Sequence, residues 1–295
     1  MKLNYLLLDV FTRHRLKGNP LAVVLKADGL LDGEMQAIAN EFNLSETIFI
    51  LKPQAERNTA SVRIFTPHTE LPFAGHPTIG ATVALGLQHK ASVMRIEEQV
   101  GLITALFERV DKRTGEARFA LPQLPEPAGQ SGEIRDMALA LGIEGEDIGC
   151  GDLRPAVFSA GNLFHLVPVH DAGVLARIRV NDGHWQQAFP HGRHAVYIFT
   201  RTPEEPGNDF AARMLKPGSP EDPGTGSAAA ALIGLLAEHA EFTTGQADYI
   251  LRQGHEMGRP CTITLQLRKD NGVLVHGGIG GHAVITGEGV LDLGD

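Results

Sequence analysis

The sequence lacks several features that mark particular classes of protein. It has only two cysteines, Cys150 and Cys261, in 295 residues, and two thiols in unrelated contexts are typical of a reduced protein without a disulfide framework. No run of 18 apolar residues occurs, so no transmembrane helix is expected. The N-terminus enters a strand-like pattern at Leu3 without the cleavage region of a signal peptide. These absences predict a cytoplasmic protein with no membrane partner.

Positive charge is also scarce. The chain has 26 Lys and Arg residues against 35 Asp and Glu residues, which gives a formal net charge of −9. Such a balance disfavours nucleic acid and anionic membranes as partners. The composition is otherwise that of a globular protein, with 43% hydrophobic residues, and the chain is long enough to bury two separate cores.

Two glycine-rich turns that lead into apolar helices stand out in the sequence. Residues 221–230 read EDPGTGSAAA, and residues 70–81 read ELPFAGHPTIGA. The turn residues interrupt the preceding strands, and the apolar runs predict helices over 77–87 and 228–237. Both helices are apolar on every face, which requires burial. Each first turn therefore brings free backbone N–H groups and the positive end of the helix dipole into the interior, where a small anion can bind.

The two halves of the chain resemble each other. GNPLAVV at 18–24 corresponds to GNLFHLV at 161–167, and the two turn-into-helix stretches follow at nearly the same offset. This repeat predicts a duplicated domain whose helix entrances face a shared cleft. The proline-rich residues 121–129 are the best candidate linker. Near the end of the chain, separate short strands are predicted at 273–275 and 283–286, joined by a tight glycine-rich connection.

Three stretches, in this order along the chain, resemble the signatures of the PhzF family of phenazine biosynthesis. They are NLSET at 43–47, ELPFAGHP at 70–77 and EDPGTGSA at 221–228. The resemblance covers essentially the whole chain and implies the diaminopimelate epimerase fold. This is an α+β fold of two similar, pseudo-symmetric domains, each a curled and mostly antiparallel sheet around a central buried helix. We expect the domains at 1–124 and 125–282, with the tail 283–295 returning to the first.

The resemblance also implies which residues form the active site. The expected catalytic residues are Glu46, His76 and Asp222, and the expected substrate-binding residues are Gly75, Gly226 and Ser227. Glu46 matches the family's acid/base, while the glycines and Ser227 would present backbone N–H groups to the substrate. Read alone, Glu46 is more typical of a solvated loop residue or a helix cap, Asp222 could be only a turn former, and Ser227 could be only an N-cap.

The family's type enzyme isomerises a dihydro-hydroxyanthranilate without a cofactor or a metal. The resemblance therefore implies a cofactor-independent, metal-free isomerase that shifts a proton on a small carboxylate substrate, with Glu46 as the single acid/base. A two-thiol racemase is disfavoured, because the helix entrances carry His76 and Ser227 where related racemases carry cysteines. Two alternatives stay open: an epimerase with Glu46 and Asp222 as opposed bases, and a non-catalytic binder of small metabolites. We also expect a homodimer.

Overall fold

The computed structural model describes residues 1–89, 91–191, 195–202 and 209–294. Contacts divide the chain into two compact units, which we call unit 1 (Met1–Pro122 with Gly280–Asp295) and unit 2 (Gln123–Ile279). Each unit combines strands and helices, so the mixed composition expected of an α+β protein is confirmed. In the described ranges, no helix has the length and apolar character needed to cross a membrane.

Unit 1 contains the first two helices and the first eight strands of the chain. Its helices are α1 (Asp32–Phe42) and α2 (Gly75–Gln88). Its strands are β1 (Lys2–Val10), β2 (Asn19–Val24), β3 (Glu46–Leu51), β4 (Ala60–Phe65), β5 (Glu70–Leu71), β6 (Val93–Glu98), β7 (Gly101–Arg109) and β8 (Thr114–Ala120).

Unit 2 follows with a similar mixture. Its α-helices are α3 (Ile134–Leu141), α4 (Ala172–Arg177), α5 (Asp182–Ala188) and α6 (Gly226–Glu238), with a short 3-10 helix at Gly145–Asp147. Its strands are β9 (Glu126–Pro127), β10 (Ala156–Ser159), β11 (Leu163–Pro168), β12 (Val196–Arg201), β13 (Asp209–Leu215), β14 (Gly245–Gln253) and β15 (Cys261–Asp270). The last strand, β16 (Val273–Asp292), begins in unit 2 and ends in unit 1.

The same order of strand pairings occurs within each unit. In unit 1, the pairings from β1–β2 through β2–β3, β3–β4 and β4–β6 to β6–β7 alternate between antiparallel and parallel. In unit 2, the series from β10–β11 to β14–β15 repeats this alternation. Parallel neighbours require a crossover connection. Helices supply these crossovers: α1 and α2 in unit 1, and α4 with α5, then α6, in unit 2.

The two central helices, α2 and α6, are buried, as the sequence predicts. Every residue of α2 from Gly75 to Gly86 is buried, and α6 is buried except at its second and last residues. Glycines allow the neighbouring sheets to approach closely. A Cβ on Gly86 would lie 2.3 Å from Phe107, and a Cβ on Gly234 would lie 2.5 Å from Phe158. Aromatic rings therefore occupy the space that a side chain would need.

The prediction of two strands joined by a tight connection near the C-terminus is wrong. Strand β16 runs unbroken through the glycine-rich residues 277–281, which are buried. Its later part pairs antiparallel with β1, from Val10 opposite Ala283 to Lys2 opposite Asp292. Because ladder hydrogen bonds need only the backbone, glycine tolerates a paired strand in spite of its weak intrinsic preference for one.

Candidate active site

Glu46 is the first residue of β3. The preceding helix α1 ends at Phe42, and its C-cap residue Asn43 adopts a left-handed conformation with φ of 48° and donates its N–H to Ala39 O. Asparagine tolerates this conformation better than most residues. The chain then enters β3, where residues 47–50 are buried. The Glu46 side chain keeps 19% of its surface exposed, so its carboxylate lies at a boundary between core and solvent.

His76 lies in the first turn of α2, and its imidazole contacts Glu46. Its Nδ1 is 3.0 Å from Glu46 Oε2, and the side chain is 4% exposed. The Nε2 atom is buried and has no hydrogen-bond partner within the described parts of the chain. Pro77 suits this position because it has no N–H to leave unpaired. The remaining N–H groups of a first turn have no intrahelical partner.

The contact between Glu46 and His76 links the protonation state of the carboxylate to the tautomer of the imidazole. When Glu46 is ionised, a neutral ring donates from Nδ1–H, and Nε2 is left as an acceptor. When Glu46 carries a proton, it can donate to Nδ1 of the other tautomer, and Nε2–H becomes a donor. Proton uptake at the carboxylate can therefore change the hydrogen-bonding character of the opposite side of the ring.

An arginine clamps the start of the turn that leads into α2. Arg63 on β4 donates from Nε to Glu70 Oε1 and from Nη2 to Glu70 Oε2, both at 2.7 Å. The guanidinium also donates to Asp32. Bidentate geometry of this kind is both strong and directional. Hydrogen bonds to Glu70 raise the pKa of Arg63, so the guanidinium group stays charged.

The corresponding turn of unit 2 has its own network. Asp222 accepts a hydrogen bond from Thr225 Oγ1 at 2.5 Å. Gly226 is the buried first residue of α6, and Ser227 after it is partly exposed. Glu221, at the start of the turn, is held by Arg213 through two hydrogen bonds of 3.0 and 2.8 Å.

A buried carboxyl group behind α2 was missed by the sequence analysis. Glu98 ends β6, and its Oε1 lies 2.8 Å from Thr78 Oγ1 in the first turn of α2. Burial raises the pKa of Glu98 to about 8. One sequence signal was present: Glu98 continues the inward-facing register of Met94 and Ile96, so its side chain takes a core position.

The structure groups the predicted residues as follows. Glu46 and His76 are in contact within unit 1, where Gly75 precedes His76 in the helix. The other three predicted positions, Asp222, Gly226 and Ser227, share one turn of unit 2.

The two cysteines lie outside the predicted site residues, and the side chains that could bind a metal ion are not clustered in the described ranges. Neither cysteine belongs to the first turn of α2 or α6: Cys261 is the first residue of β15, and Cys150 Sγ lies 3.9 Å from Thr200 Oγ1. Within the ranges that the structure describes, no group of three or more His, Cys, Asp or Glu residues is arranged to hold a metal ion.

Comparison with known proteins gives consistent matches over nearly the whole chain. Residues 8–289 match the PhzC-PhzF family, described as phenazine biosynthesis-like protein. An uncharacterised isomerase of Mesorhizobium japonicum is 41% identical over 98% of both chains. The trans-2,3-dihydro-3-hydroxyanthranilate isomerase of Pseudomonas fluorescens is 34% identical, over 98% of this chain and 99% of its own.

A solved structure agrees with these matches. The Bacillus anthracis phenazine biosynthesis protein of the PhzF family has a TM-score of 0.86 and 25% sequence identity, covering 99% of this chain and 100% of the other. The resemblance inferred from the three sequence motifs is thus confirmed, and the chain belongs to the PhzC-PhzF family of phenazine biosynthesis-like proteins.

Proposed function

We propose that this protein is a cofactor-independent isomerase of the PhzF type, which moves a proton within a small carboxylate substrate. The observation that carries the proposal is the contact between Glu46 and His76. A partly exposed carboxylate is paired with a buried imidazole whose Nε2 has no protein partner in the described chain. General acid–base catalysis requires a titratable side chain that is held in place and can reach the substrate, and the Glu46 carboxylate beside His76 fits this description.

Glu46 acts as the single acid/base in this proposal. Its carboxylate takes a proton from one carbon, and the electron pair of the broken C–H bond moves into the neighbouring double-bond system. The Glu46 carboxylic acid then returns the proton to a different carbon, so the double bond shifts and the atoms of the substrate are unchanged in number. A single base of this kind serves one face of the substrate, whereas inversion of a stereocentre generally takes two opposed bases.

The other predicted residues bind and orient the substrate. Backbone N–H groups at Gly75, Gly226 and Ser227 hold its carboxylate, because first-turn N–H groups and the helix dipole both favour an anion. His76 and Asp222 orient the reacting carbons and stabilise the charge that develops as the proton leaves. The relatives named above include a trans-2,3-dihydro-3-hydroxyanthranilate isomerase, and this compound is therefore the first substrate to test.

The test is turnover of trans-2,3-dihydro-3-hydroxyanthranilate in D2O, followed by NMR. A shifted double bond, with deuterium incorporated at the new C–H position, supports the isomerase. Exchange with inversion and no shift of the double bond would favour an epimerase with Glu46 and Asp222 as bases. Binding without exchange would favour a metabolite binder. A panel of small cyclic and amino carboxylates, screened by thermal stabilisation, extends the test to other substrates of the same class.

A further inference from the structure

The side chain of Gln253 is fully buried beneath the turn that leads into α6. Its Oε1 accepts hydrogen bonds from Thr225 N at 3.0 Å and from Tyr197 Oη at 2.8 Å. Its Nε2 donates to Asp222 O at 2.7 Å and to Thr225 Oγ1 at 3.0 Å. A carboxamide offers two donors and two acceptor positions. Gln253 uses all four, and three of these bonds go to the turn.

The next residue supports the same turn in a different way. Gly254 has φ of +80°, a conformation that favours glycine. A Cβ at this position would lie 2.6 Å from Pro223 O and 2.5 Å from Arg259 O. The backbone of Gly254 therefore packs directly against the turn, and no other residue fits there without displacing it.

Unit 1 has a counterpart at the equivalent place in the chain. Glu98 is the last residue of the strand that follows α2, as Gln253 is the last residue of the strand that follows α6. Thr78 Oγ1 is 2.8 Å from both Glu98 Oε1 and Ala74 O. Ala74 is the N-cap of α2, and Thr225 is the N-cap of α6. Each buried side chain thus reaches the N-cap of a central helix, Gln253 directly and Glu98 through Thr78.

The surroundings of Glu98 favour the neutral form of its carboxyl group. The Thr78 hydroxyl has one proton, and an ionised Glu98 must share it with Ala74 O. A neutral Glu98 can donate to Thr78 Oγ1 instead, which leaves the hydroxyl proton to Ala74 O alone. Glu98 Oε2 is buried and has no partner among the residues described, and burial of an ionised oxygen without a partner is strongly unfavourable. Burial raises the pKa of Glu98 to about 8. A neutral carboxyl group has an O–H donor and an acceptor oxygen, and so resembles the carboxamide of Gln253, which has N–H donors and an acceptor oxygen.

We propose that Gln253 and Glu98 are equivalent positioning residues, each of which fixes the N-cap and first turn of a central helix. The first turns so held carry His76 with Gly75 in unit 1, and Gly226 with Ser227 in unit 2. The effect on substrate binding rests on the proposed function. The effect on the helix starts follows from the hydrogen bonds alone.

Amide hydrogen exchange tests the positioning role without a substrate. The informative amides are Thr225 and Ala229 in unit 2, and Thr78 in unit 1. In Gln253→Met, exchange at Thr225 and Ala229 should rise at least roughly tenfold, because the three hydrogen bonds between the Gln253 side chain and the turn are lost. Exchange at Thr78 should stay as in the wild type.

Variants of Glu98 should give the reverse pattern. Glu98→Leu should accelerate exchange at Thr78 only, while Glu98→Gln, which mimics the neutral acid, should restore it to near the wild-type rate. Gln246→Met, at an exposed position of the same strand as Gln253, is the matched control and should change none of these amides. Unchanged exchange in both Gln253→Met and Glu98→Leu, or equal acceleration at both helices, would overturn the proposal.

Turnover of trans-2,3-dihydro-3-hydroxyanthranilate gives the second readout. Gln253→Met should lower kcat/KM by roughly 10- to 100-fold through misplaced binding groups, and Glu98→Leu should do the same while Glu98→Gln keeps the activity. Loss of activity in Glu98→Gln equal to that in Glu98→Leu would contradict the role of the neutral acid. If the wild-type chain does not act on this compound, the proposed function fails for that substrate, while the exchange experiment still decides the roles of Gln253 and Glu98.

Discussion

Above pH 8, replacing the buried Glu98 by glutamine is expected to stabilise the protein. The pKa of Glu98 is raised by burial from 4.5 to about 8. Between these values the folded state holds a proton that the unfolded state has released, so the free energy of unfolding falls as pH rises. The contribution is fully present below pH 4.5 and is lost as the pH passes through about 8. Glutamine has no such dependence.

The size of the effect follows from the same shift. Each pH unit between 4.5 and about 8 costs the wild type about 1.4 kcal/mol, which amounts to a difference on the order of 5 kcal/mol across the window. Below pH 4.5 the two proteins should agree within about 1 kcal/mol, because the amide replaces a neutral acid of the same shape and donates to Thr78 in its place. Urea unfolding at fixed ionic strength, repeated from pH 4 to 9, measures the difference directly.

The neighbouring Glu97 supplies the control. Its carboxylate accepts hydrogen bonds from Asn58 and from the backbone N–H groups of Gln54 and Ala55, and these bonds lower its pKa. Its stabilisation is therefore present above pH 4.5 and is lost as the pH falls. Glu97→Gln should destabilise the protein at neutral pH, and its free energy of unfolding should still fall toward pH 8 as that of the wild type does. The reasoning is refuted if the free energy of unfolding of Glu98→Gln falls with pH as steeply as that of the wild type, or if the variant is the less stable of the two at pH 8.5.

Three further predictions concern the site and its turns. Glu46→Gln should bind the substrate nearly as the wild type does but turn it over at least roughly 100-fold more slowly; normal turnover would move the proton transfer to another group, and loss of binding would make Glu46 an anchor. Gly254→Ala should lower stability by more than about 2 kcal/mol in thermal unfolding, since it adds a close contact to backbone strain, whereas Gly258→Ala, where φ is +67° and nothing lies within 4 Å, should lose only about 1–2 kcal/mol; equal losses would contradict the close contact. Sulfate soaked into crystals should bind at the first turns of α2 and α6 and compete with the substrate, and binding only at surface lysines and arginines would refute this placement.

Local patterns in the sequence were sufficient to predict several elements. They predict a helix over 134–141 and a strand over 156–159, and the structure has both elements at these bounds. The helix pattern ends at Gly142, which takes the left-handed cap conformation. For α2 and α6 the predicted starts at 77 and 228 were two residues late. Glycine has low helix propensity, so the pattern does not reveal that Gly75 and Gly226 already belong to the helices.

Elements and contacts that depend on distant residues could not be predicted. Helix α4 is only six residues long, which is too short for a periodic signal. Its N-cap is Asp171, whose carboxylate accepts a hydrogen bond from Val174 N. Gln253 lies 28 residues after Thr225 in the sequence but bonds to it. Nothing local marks an amide for that role. The family motifs suggested that Glu46 and His76 belong to one active site, and their contact at 3.0 Å comes only from the structure.

The pairing of β1 with the end of β16 has a consequence for how the chain folds during synthesis. Lys2 pairs with Asp292, so the sheet of unit 1 joins strands separated by nearly the whole length of the chain. A ribosome releases β1 long before its partner, and until then one side of β1 lacks that ladder of hydrogen bonds. Unit 2 is complete in sequence at Ile279, before the pairing segment emerges. Unit 2 can therefore fold before unit 1 is complete, although the synthesis of unit 1 starts first.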